Sequence, residues 1–263
     1  MPIINSEMKT RTVKINNENK IVCLVESDQE ILEAKSEDLP TIGLMTKEVL
    51  NHGNALWGAD YVVEDINQVD CELLNKVYCR HNNLPLTIAK TKRCLLREMS
   101  LDRLDDLFEL YAMPGVTDYV EPLFEYQDEM AYQKEYIKQM YGYFEYGMWL
   151  VLDKKTGKLI GRAGLEHREY KRPEKQNSKN IIMETELEMG YLISPDYQRK
   201  GIATEVCKTI INYARDNTEY KRLNCLINEK NLASIKFAKS LGFKFLEKIE
   251  MKNEIMERYI LNL

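Results

Sequence analysis

The sequence predicts an α/β protein with two domains: a small parallel α/β domain over residues 1–90, then a mixed sheet flanked by helices over residues 91–263. In the first part, short apolar runs such as residues 21–25 alternate with stretches of helical spacing, which is typical of a parallel sheet. In the second part, longer apolar runs joined by hairpin-like turns predict antiparallel strands as well. The length of 263 residues also exceeds that of a usual single domain.

Composition narrows the classes of protein to which the chain can belong. The net charge of −5 arises in the first 90 residues, which carry 9 Lys and Arg against 14 Asp and Glu, whereas the remainder carries 28 against 28. Because no basic patch stands out, we expect no nucleic-acid surface. The first twenty residues carry charge throughout and no apolar run reaches membrane-spanning length, so we expect neither a signal peptide nor a membrane partner.

The cysteines and histidines are too scattered to predict a metal site or a disulfide framework. Six cysteines occur without a CxxC pair, and the chain has three histidines. We therefore expect buried, reduced thiols, a cytoplasmic protein and no bound metal.

The first portion is predicted to alternate strands and helices without carrying out catalysis. Apolar runs predict strands at residues 21–25, 41–45 and 61–63, and helical spacing predicts helices at residues 28–35, 48–52 and 69–81. The segments 25–27 (Val-Glu-Ser) and 58–65 (Gly-Ala-Asp-Tyr-Val-Val-Glu-Asp) resemble late strand ends of haloacid-dehalogenase-like domains. That family places its nucleophile in an Asp-x-Asp motif, which this sequence lacks. The resemblance therefore implies a non-catalytic remnant that docks on, dimerises or regulates the rest.

The most informative stretch joins a strand to a helix through a basic turn. Residues 186–193 have a strand pattern, and residues 202–216 have the apolar spacing of a helix. Between them, Gly201 lets the backbone approach a ligand closely, and the first amides of the helix lack intrahelical partners. With no carboxylate between Gln198 and Thr204, this turn suits an anion such as a diphosphate. The alternative is an ordinary strand-to-helix turn with two solvated basic residues.

Two motifs resemble the GNAT acyltransferase superfamily. The residues Gln-Arg-Lys-Gly-Ile-Ala at 198–203 resemble its diphosphate-binding loop, Gln/Arg-x-x-Gly-x-Gly/Ala. Downstream, Asn231 and Ser234, with Leu-Gly-Phe at 241–243, resemble the branch that acetylates ribosomal-protein N-termini. The likeness extends from about residue 94 to the C-terminus and implies acetyl-CoA as the cosubstrate. The CoA-binding residues that it implies are Leu192, Ile193, Gln198, Arg199, Lys200, Gly201, Ile202, Ala203, Thr204, Asn231, Ser234 and Lys239.

The resemblance also implies where the chemistry takes place. In GNAT-like folds the two strands that precede these helices splay apart, and the pantetheine arm lies in the opening. Acyl transfer from a thioester needs a neutral amine, a polarised carbonyl and a proton for the departing thiolate. A backbone amide near Leu192 or Ile193 would polarise the carbonyl, so no side chain is required for that role.

Several carboxylates compete for the role of general base. Glu188 is the first candidate, because it lies in a Glu-x-Gly-Tyr context seen in the resembling branch. Glu184 and Glu186 share its side of the strand, and Glu166, beside His167 on the neighbouring strand, is the runner-up. Each carboxylate could instead be a solvated strand residue, and a single histidine is more often structural than catalytic.

The proton donor for the thiolate departs from the family pattern. Many GNAT enzymes have a tyrosine seven residues after the asparagine aligned with Asn231, where this chain has Ala238. The resemblance implies that Ser234 protonates or holds the sulfur, although Ser234 could also be an ordinary residue of a first helical turn. Because a thiolate is a stable leaving group near neutral pH, the missing tyrosine does not exclude turnover.

Together these observations predict an acetyl-CoA-dependent N-acetyltransferase that works by direct attack of a primary amine, because no cysteine is well placed to carry the acyl group. The amine belongs to a protein N-terminus or to a small molecule, and a homodimer is left open. Residues 171–178 are polar and contain a proline, which predicts an exposed loop beside the acceptor groove. The competing hypothesis is a catalytically silent CoA-binding sensor or interaction protein.

Overall fold

The computed structural model describes residues 9–15, 17–173 and 181–263. The chain divides into two compact units, Met1–Leu86 and Thr87–Leu263. Within the described ranges, none of the helices has the length and apolar character needed to cross a membrane.

The first unit contains a four-stranded sheet in the order β1-β2-β3-β4. Strand β1 runs antiparallel to β2, and β2, β3 and β4 run parallel to one another, so the predicted small parallel sheet is confirmed. The elements are β1 (Lys9–Ile15), β2 (Glu18–Val25), α1 (Asp28–Ser36), β3 (Thr41–Leu44), α2 (Lys47–Asn51), β4 (Tyr61–Val63) and α3 (Cys71–His81). Strand β1 was not predicted, because it is an edge strand in which only Val13 is buried.

The unbroken apolar run of β2 follows from burial on both faces of this sheet. Val22 and Leu24 pack in one core with residues of α3, whereas the alternating Cys23 and Val25 pack in another core with residues of α1. Helix α1 begins at a capping box, in which Ser27 accepts a hydrogen bond from the backbone of Glu30 and the Glu30 carboxylate accepts one in return.

The second unit contains an eight-stranded sheet in the order β11-β12-β10-β9-β8-β7-β6-β5. The pair β9–β10 is parallel and the other pairs are antiparallel, which confirms the predicted mixed sheet. The elements are β5 (Thr87–Lys90), β6 (Cys94–Arg97), α4 (Leu104–Tyr111), α5 (Tyr126–Tyr136), β7 (Met148–Asp153), β8 (Leu159–Pro173), β9 (Ile181–Ile193), α6 (Ile202–Asn217), β10 (Arg222–Asn228), α7 (Leu232–Ser240), β11 (Lys244–Met251) and β12 (Glu254–Asn262).

Three boundaries differ from the sequence-based expectation. Thr87–Lys90 was grouped with the first domain but pairs with β6, and so belongs to the second unit. The helix expected over residues 126–146 changes to π-helical winding at Ile137–Phe144. Of the expected loop at residues 171–178, the first three residues extend β8 and pair with β9, and residues 174–180 lie outside the described part of the chain.

Side-chain alternation gives the larger sheet two distinct faces. On one face, Trp149 of β7 contacts Tyr213 of α6, and Tyr191 of β9 contacts Phe237 of α7, with ring centroids 4.9 and 5.0 Å apart. On the other face, the guanidinium of Arg162 on β8 lies over the ring of Tyr136 on α5. We call this second face, which also carries Glu166 and Glu188, the acceptor face.

A buried ionic cluster joins four strands on the acceptor face. The carboxylate of Glu186 accepts hydrogen bonds from Arg222, Asn224 and Arg258, and Arg258 also donates to Glu247 at 2.7 Å. Burial raises the pKa of Glu186, but the Asn224 amide and the two guanidinium groups outweigh it and leave that pKa below its ordinary value. Glu186 is therefore an ionised structural residue, which excludes the alternative that it is a solvated strand residue.

The cluster predicts a large stability effect at one position. Replacing Glu186→Ala leaves the Arg258 guanidinium buried without its central counter-charge, and we expect a loss of about 3–5 kcal/mol in the free energy of unfolding. Urea unfolding followed by circular dichroism measures it. The matched control is Lys248→Ala, which removes an exposed ion pair with Glu229 on the same sheet and should change stability only slightly. Equal effects of the two changes would contradict a structural role for the cluster.

Candidate functional site

Strands β9 and β10 separate soon after they meet. They pair at two positions, Leu187 with Leu223 and Glu188 with Asn224. Beyond these pairs β9 continues to Ile193 and β10 continues to Asn228, while β9 stays paired to β8 along its other side. Main-chain groups of residues 189–193 that face β10 therefore lack strand partners, and an opening begins directly after Glu188.

A glycine turn lies at the far end of this opening. After β9, a short helical turn (Pro195–Tyr197) leads to Gly201, whose φ of +76° is the left-handed conformation that favours glycine. Helix α6 starts at the next residue without a side chain capping its N-terminus. The amides of Ile202, Ala203 and Thr204 are therefore presented at the positive end of the helix dipole, which suits a bound diphosphate.

Hydrogen bonds to main-chain carbonyls hold the turn in shape. Gln198 donates to the carbonyl of Ile193 at 2.9 Å, which ties the turn to the end of β9. Lys200 folds back onto the carbonyl of Asp196 at 2.6 Å. The side chains of Gln198 and Lys200 therefore shape the turn, and Arg199 is left exposed in a left-handed conformation at φ +55°.

Arg93 is a residue of this site that the sequence analysis missed. Its Nη1 donates to the carbonyl of Lys200 at 2.7 Å, and its Nη2 would lie 3.5 Å from a Cβ added to Gly201. The guanidinium therefore stands beside the turn and adds positive charge there. Local spacing gives no signal for it, because 107 residues separate Arg93 from Lys200.

Arg93 is itself positioned by a carboxylate on α6. Glu205 accepts hydrogen bonds from the Thr91 hydroxyl at 2.5 Å and from the backbone N and Nε of Arg93 at 2.6 and 2.8 Å. Burial raises the pKa of Glu205, but these hydrogen bonds outweigh it and leave that pKa below its ordinary value. The negative charge of Glu205 in the first turn of α6 is thus neutralised by Arg93, so it does not repel a bound anion.

Helix α7 begins on the other side of the opening. Asn231 caps it, because its Oδ1 accepts a hydrogen bond from the Ser234 backbone at 3.1 Å. Tyr191 reaches across from β9 and donates to the Ser234 carbonyl at 3.3 Å. The Ser234 hydroxyl is also hydrogen-bonded to the Tyr191 side chain. Lys239 lies at the opposite end of α7, with its ammonium 5.6 Å from the Tyr259 ring, and is not brought to the turn.

Glu188 sits at the point where β9 and β10 part. Its Oε2 accepts from the Tyr170 hydroxyl at 2.9 Å and pairs with Arg168 at 2.8 Å, while its side chain is 14% exposed. Burial raises the pKa of Glu188 above its ordinary value, although Arg168 and Tyr170 both act to lower it. A partly buried carboxylate with a raised pKa at a strand opening is a suitable general base.

The other candidate bases are placed differently. Glu166 lies directly opposite Glu188 in the β8–β9 register and accepts a hydrogen bond from Tyr136 at 3.0 Å. His167 points to the other face of the sheet, where its ring lies 4.3 Å from that of Phe144. The structure therefore brings Glu166 to Glu188 and separates His167 from both. The side chain of Glu184 lies outside those described.

The opened parallel pair and the glycine turn lie in the arrangement that the resemblance above implies. A family model described as an acetyltransferase (GNAT) domain matches residues 93–244, which is more than half of the chain. The chain belongs to this family of acetyltransferases, whose members use acetyl-CoA. The match to this family begins at residue 93, after the first unit. The likeness of residues 1–90 to haloacid-dehalogenase-like domains is not confirmed.

Two related sequences come from Bacillus species. The chain is 24% identical over 159 residues to the N-acetyltransferase p20 of Bacillus licheniformis, which covers 59% of this chain and 80% of that protein. It is 24% identical over 112 residues to the protein YkkB of Bacillus subtilis, which covers 43% of this chain and spans 59% of the length of that relative.

Solved structures share the fold of the second unit. An acetyltransferase of the GNAT family from Bacillus anthracis superimposes with a TM-score of 0.51 at 17% identity, covering 66% of this chain and 96% of that one. RimL, a ribosomal L7/L12 alpha-N-protein acetyltransferase, superimposes with a TM-score of 0.54 at 13% identity, covering 68% and 96%. RimL has also been solved in complex with coenzyme A, with a TM-score of 0.53.

The role of the glycine turn in CoA binding can be tested by placing a negative charge in the turn. We expect Gly201→Asp to abolish CoA binding measured by calorimetry, because a carboxylate would stand where the turn presents amides to the diphosphate. Gly157→Asp is the matched control: Gly157 also has a left-handed φ, of +71°, and nothing lies within 4 Å of a Cβ added to it. Both variants carry similar backbone strain, so retained affinity in Gly201→Asp would refute this placement of the phosphates.

Proposed function

We propose that this chain is an acetyl-CoA-dependent N-acetyltransferase that transfers an acetyl group to the primary amine of a small molecule or a protein N-terminus by direct attack. The observation that carries the proposal is the opening between β9 and β10, which has Glu188 at its closed end and the Gly201 turn beyond its open end. Family membership establishes acetyl transfer in general terms. The acceptor and the roles of individual residues belong to the proposal.

The residues along the opening fit coenzyme A from end to end. The amides of residues 202–204, with Arg93 beside them, would hold the diphosphate. The unpaired main-chain groups of residues 189–193 would bond the amides of the pantetheine arm as a strand partner does. When bound, acetyl-CoA supplies a thioester whose carbonyl carbon accepts the amine, and the backbone near Leu192 or Ile193 would hold the carbonyl oxygen.

Glu188 would take the proton from the acceptor. Its Oε2 is occupied by Arg168 and Tyr170, which leaves Oε1 for the incoming ammonium group, either directly or through a water molecule. Glu166 lies opposite Glu188 and adds a second carboxylate that would attract a cationic amine. The raised pKa makes Glu188 a stronger base than an exposed glutamate.

Two hydroxyl groups would donate a proton or a hydrogen bond to the leaving thiolate. The Ser234 hydroxyl, in the first turn of α7, is hydrogen-bonded to Tyr191, and the Tyr191 hydroxyl also donates to the Ser234 carbonyl. Burial raises the pKa of Tyr191, so that its hydroxyl stays protonated. Ala238, where many members of the family have a tyrosine, is fully buried in the core. A tyrosine reaching the opening from β9 would supply the donor that the sequence pattern lacks on α7.

Direct attack is supported by the state of the thiols near the opening. Cys207 and Cys225 are buried, and burial raises the pKa of each thiol well above its ordinary value. Neither therefore provides a thiolate that could carry the acetyl group. A protein N-terminus is kept among the acceptors because RimL is described as an alpha-N-protein acetyltransferase of ribosomal L7/L12.

The reaction is tested by release of free CoA thiol from acetyl-CoA in the presence of a panel of small amines and N-terminal peptides. We expect turnover with at least one acceptor, and Glu188→Gln should lower kcat by about 10²- to 10⁴-fold while leaving CoA affinity unchanged. Lys248→Ala serves as the variant with unchanged activity. Tight CoA binding without thiol release for any amine would instead support a catalytically silent sensor.

The pH dependence gives a second test of Glu188. Since the base must be ionised, kcat/KM should rise with pH through a pKa above the ordinary range for glutamate. Tyr170→Phe removes a hydrogen bond that lowers this pKa, so the rise should move to higher pH and activity at the acidic end should fall. The control is Tyr213→Phe, whose hydroxyl contacts the Glu145 carbonyl on the other sheet face. An unmoved profile in Tyr170→Phe would argue against Glu188 as the base.

A further inference from the structure

Arg162 is a buried charge that the proposed chemistry does not use. It lies on β8, opposite Leu192 of β9, and alternation places it on the same acceptor face as Glu166 and Glu188. Its side chain extends toward Tyr136 of α5, and the residue is only 8% exposed. Arg162 therefore faces the side of the sheet on which an amine would approach Glu188.

The guanidinium of Arg162 has no counter-charge among the residues that the structure describes. It forms no ion pair there, and its Nε is buried without a hydrogen-bond partner. Its surroundings are uncharged tyrosines: Tyr111 lies within hydrogen-bonding reach, and the Tyr136 ring centroid is 5.7 Å from Cζ. Glu166, the carboxylate four positions along the same strand, is bonded to the Tyr136 hydroxyl instead.

Arg258 is another buried arginine on the same face, and its hydrogen-bond partners can be compared with those of Arg162. It is 4% exposed, and its guanidinium donates to the carboxylates of Glu186 and Glu247 and to the side-chain oxygen of Asn224. An arginine keeps its charge inside a protein, and burying an ion without a partner costs several kcal/mol. Contacts with a tyrosine ring and a hydroxyl offset only part of that cost. Arg162 thus lacks what Arg258 has, namely a carboxylate.

We propose that Arg162 binds a carboxylate of the acceptor, so that the acceptor is an amine that also carries a carboxylate group. The proposal rests on the proposed function and adds the class of substrate to it. A guanidinium and a carboxylate form a planar, two-pronged pair, which orients the ligand as well as binding it. With its carboxylate on Arg162, the acceptor presents its ammonium group to Glu188 and Glu166.

Tyr136 sets the distance between the two ends of this acceptor site. Its ring lies under the Arg162 guanidinium, and its hydroxyl donates to Glu166 at 3.0 Å. The cationic and anionic ends are therefore separated by about one tyrosine side chain, which is the scale of an amino acid or of an N-terminal residue with an acidic neighbour. Both sources share the required chemistry, a primary amine together with a carboxylate.

The test compares acceptors that differ only in the carboxylate. The full chain is assayed by thiol release with a set of amino acids and their carboxamides, and with N-terminal peptides that carry Asp or Asn at the second position. We expect kcat/KM to be about 30-fold or more higher for the carboxylate member of at least one pair, mainly through KM. Preference within the amino-acid pairs identifies a small molecule, and preference within the peptide pairs identifies a protein N-terminus.

Variants then assign the preference to Arg162. Arg162→Gln should abolish it while CoA affinity is unchanged, Arg162→Lys should retain part of it, and Arg103→Gln, at a surface ion pair with Asp106, should leave it intact. Equal use of both members of every pair by the unaltered protein, or a preference that survives in Arg162→Gln, would overturn the proposal.

A binding measurement separates this inference from the proposed function. In the presence of CoA, the carboxylate-bearing amine should raise the melting temperature of the unaltered protein more than its carboxamide does, and should lose that advantage in Arg162→Gln. If no amine is acetylated, the proposed function fails, and this shift alone decides the role of Arg162: its presence supports carboxylate binding, and its absence refutes it.

Discussion

The whole site depends on the loss of pairing between β9 and β10. After Glu188 the two strands form no further backbone pairs, so the main-chain groups of residues 189–193 that face β10 have no partners on the β10 backbone. In the proposed function, an extended, amide-bearing ligand would enter this opening as an added strand. The same separation places Glu188 at the closed end, the turn of Gly201 at the other, and α7 with Ser234 along the side. In the proposed function, one irregularity in an otherwise regular sheet would arrange both CoA binding and proton transfer.

Charged side chains hold the separated strands and the glycine turn in place. The contribution of each ion pair to stability depends on how deeply it is buried. The cluster around Glu186 ties β9 to β10 and β12 just before the strands separate, so that the opening starts at a fixed residue. Glu205 and Arg93 do the same for the diphosphate turn, where the carboxylate positions an arginine that in turn holds the carbonyl of Lys200. The buried pair of Glu186 and Arg258 is worth more than an exposed pair, because removing one partner leaves the other desolvated. Arg162 is the exception that lacks a carboxylate, and this is why we assign it to a ligand.

Sequence patterns predicted the parts of the site that are local in the chain. The turn at residues 198–203 follows from residue types within a few positions of one another, and so does the sheet face shared by Glu186 and Glu188. The alternation of side chains along β9 does not predict which of these two glutamates belongs to the ionic cluster, because that depends on Arg258 from a distant strand. Arg93, Tyr170 and Tyr191 were missed for the same reason: their partners are brought to them by the sheet and not by spacing.

The central claim is that the slot between β9 and β10 receives coenzyme A. A crystal structure of the full chain with coenzyme A tests it most directly. We expect electron density for the diphosphate on the amides of residues 202–204, and for the pantetheine arm along residues 189–193 between the two strands. Density for coenzyme A elsewhere on the protein, or a slot filled by the protein's own side chains, would contradict the account.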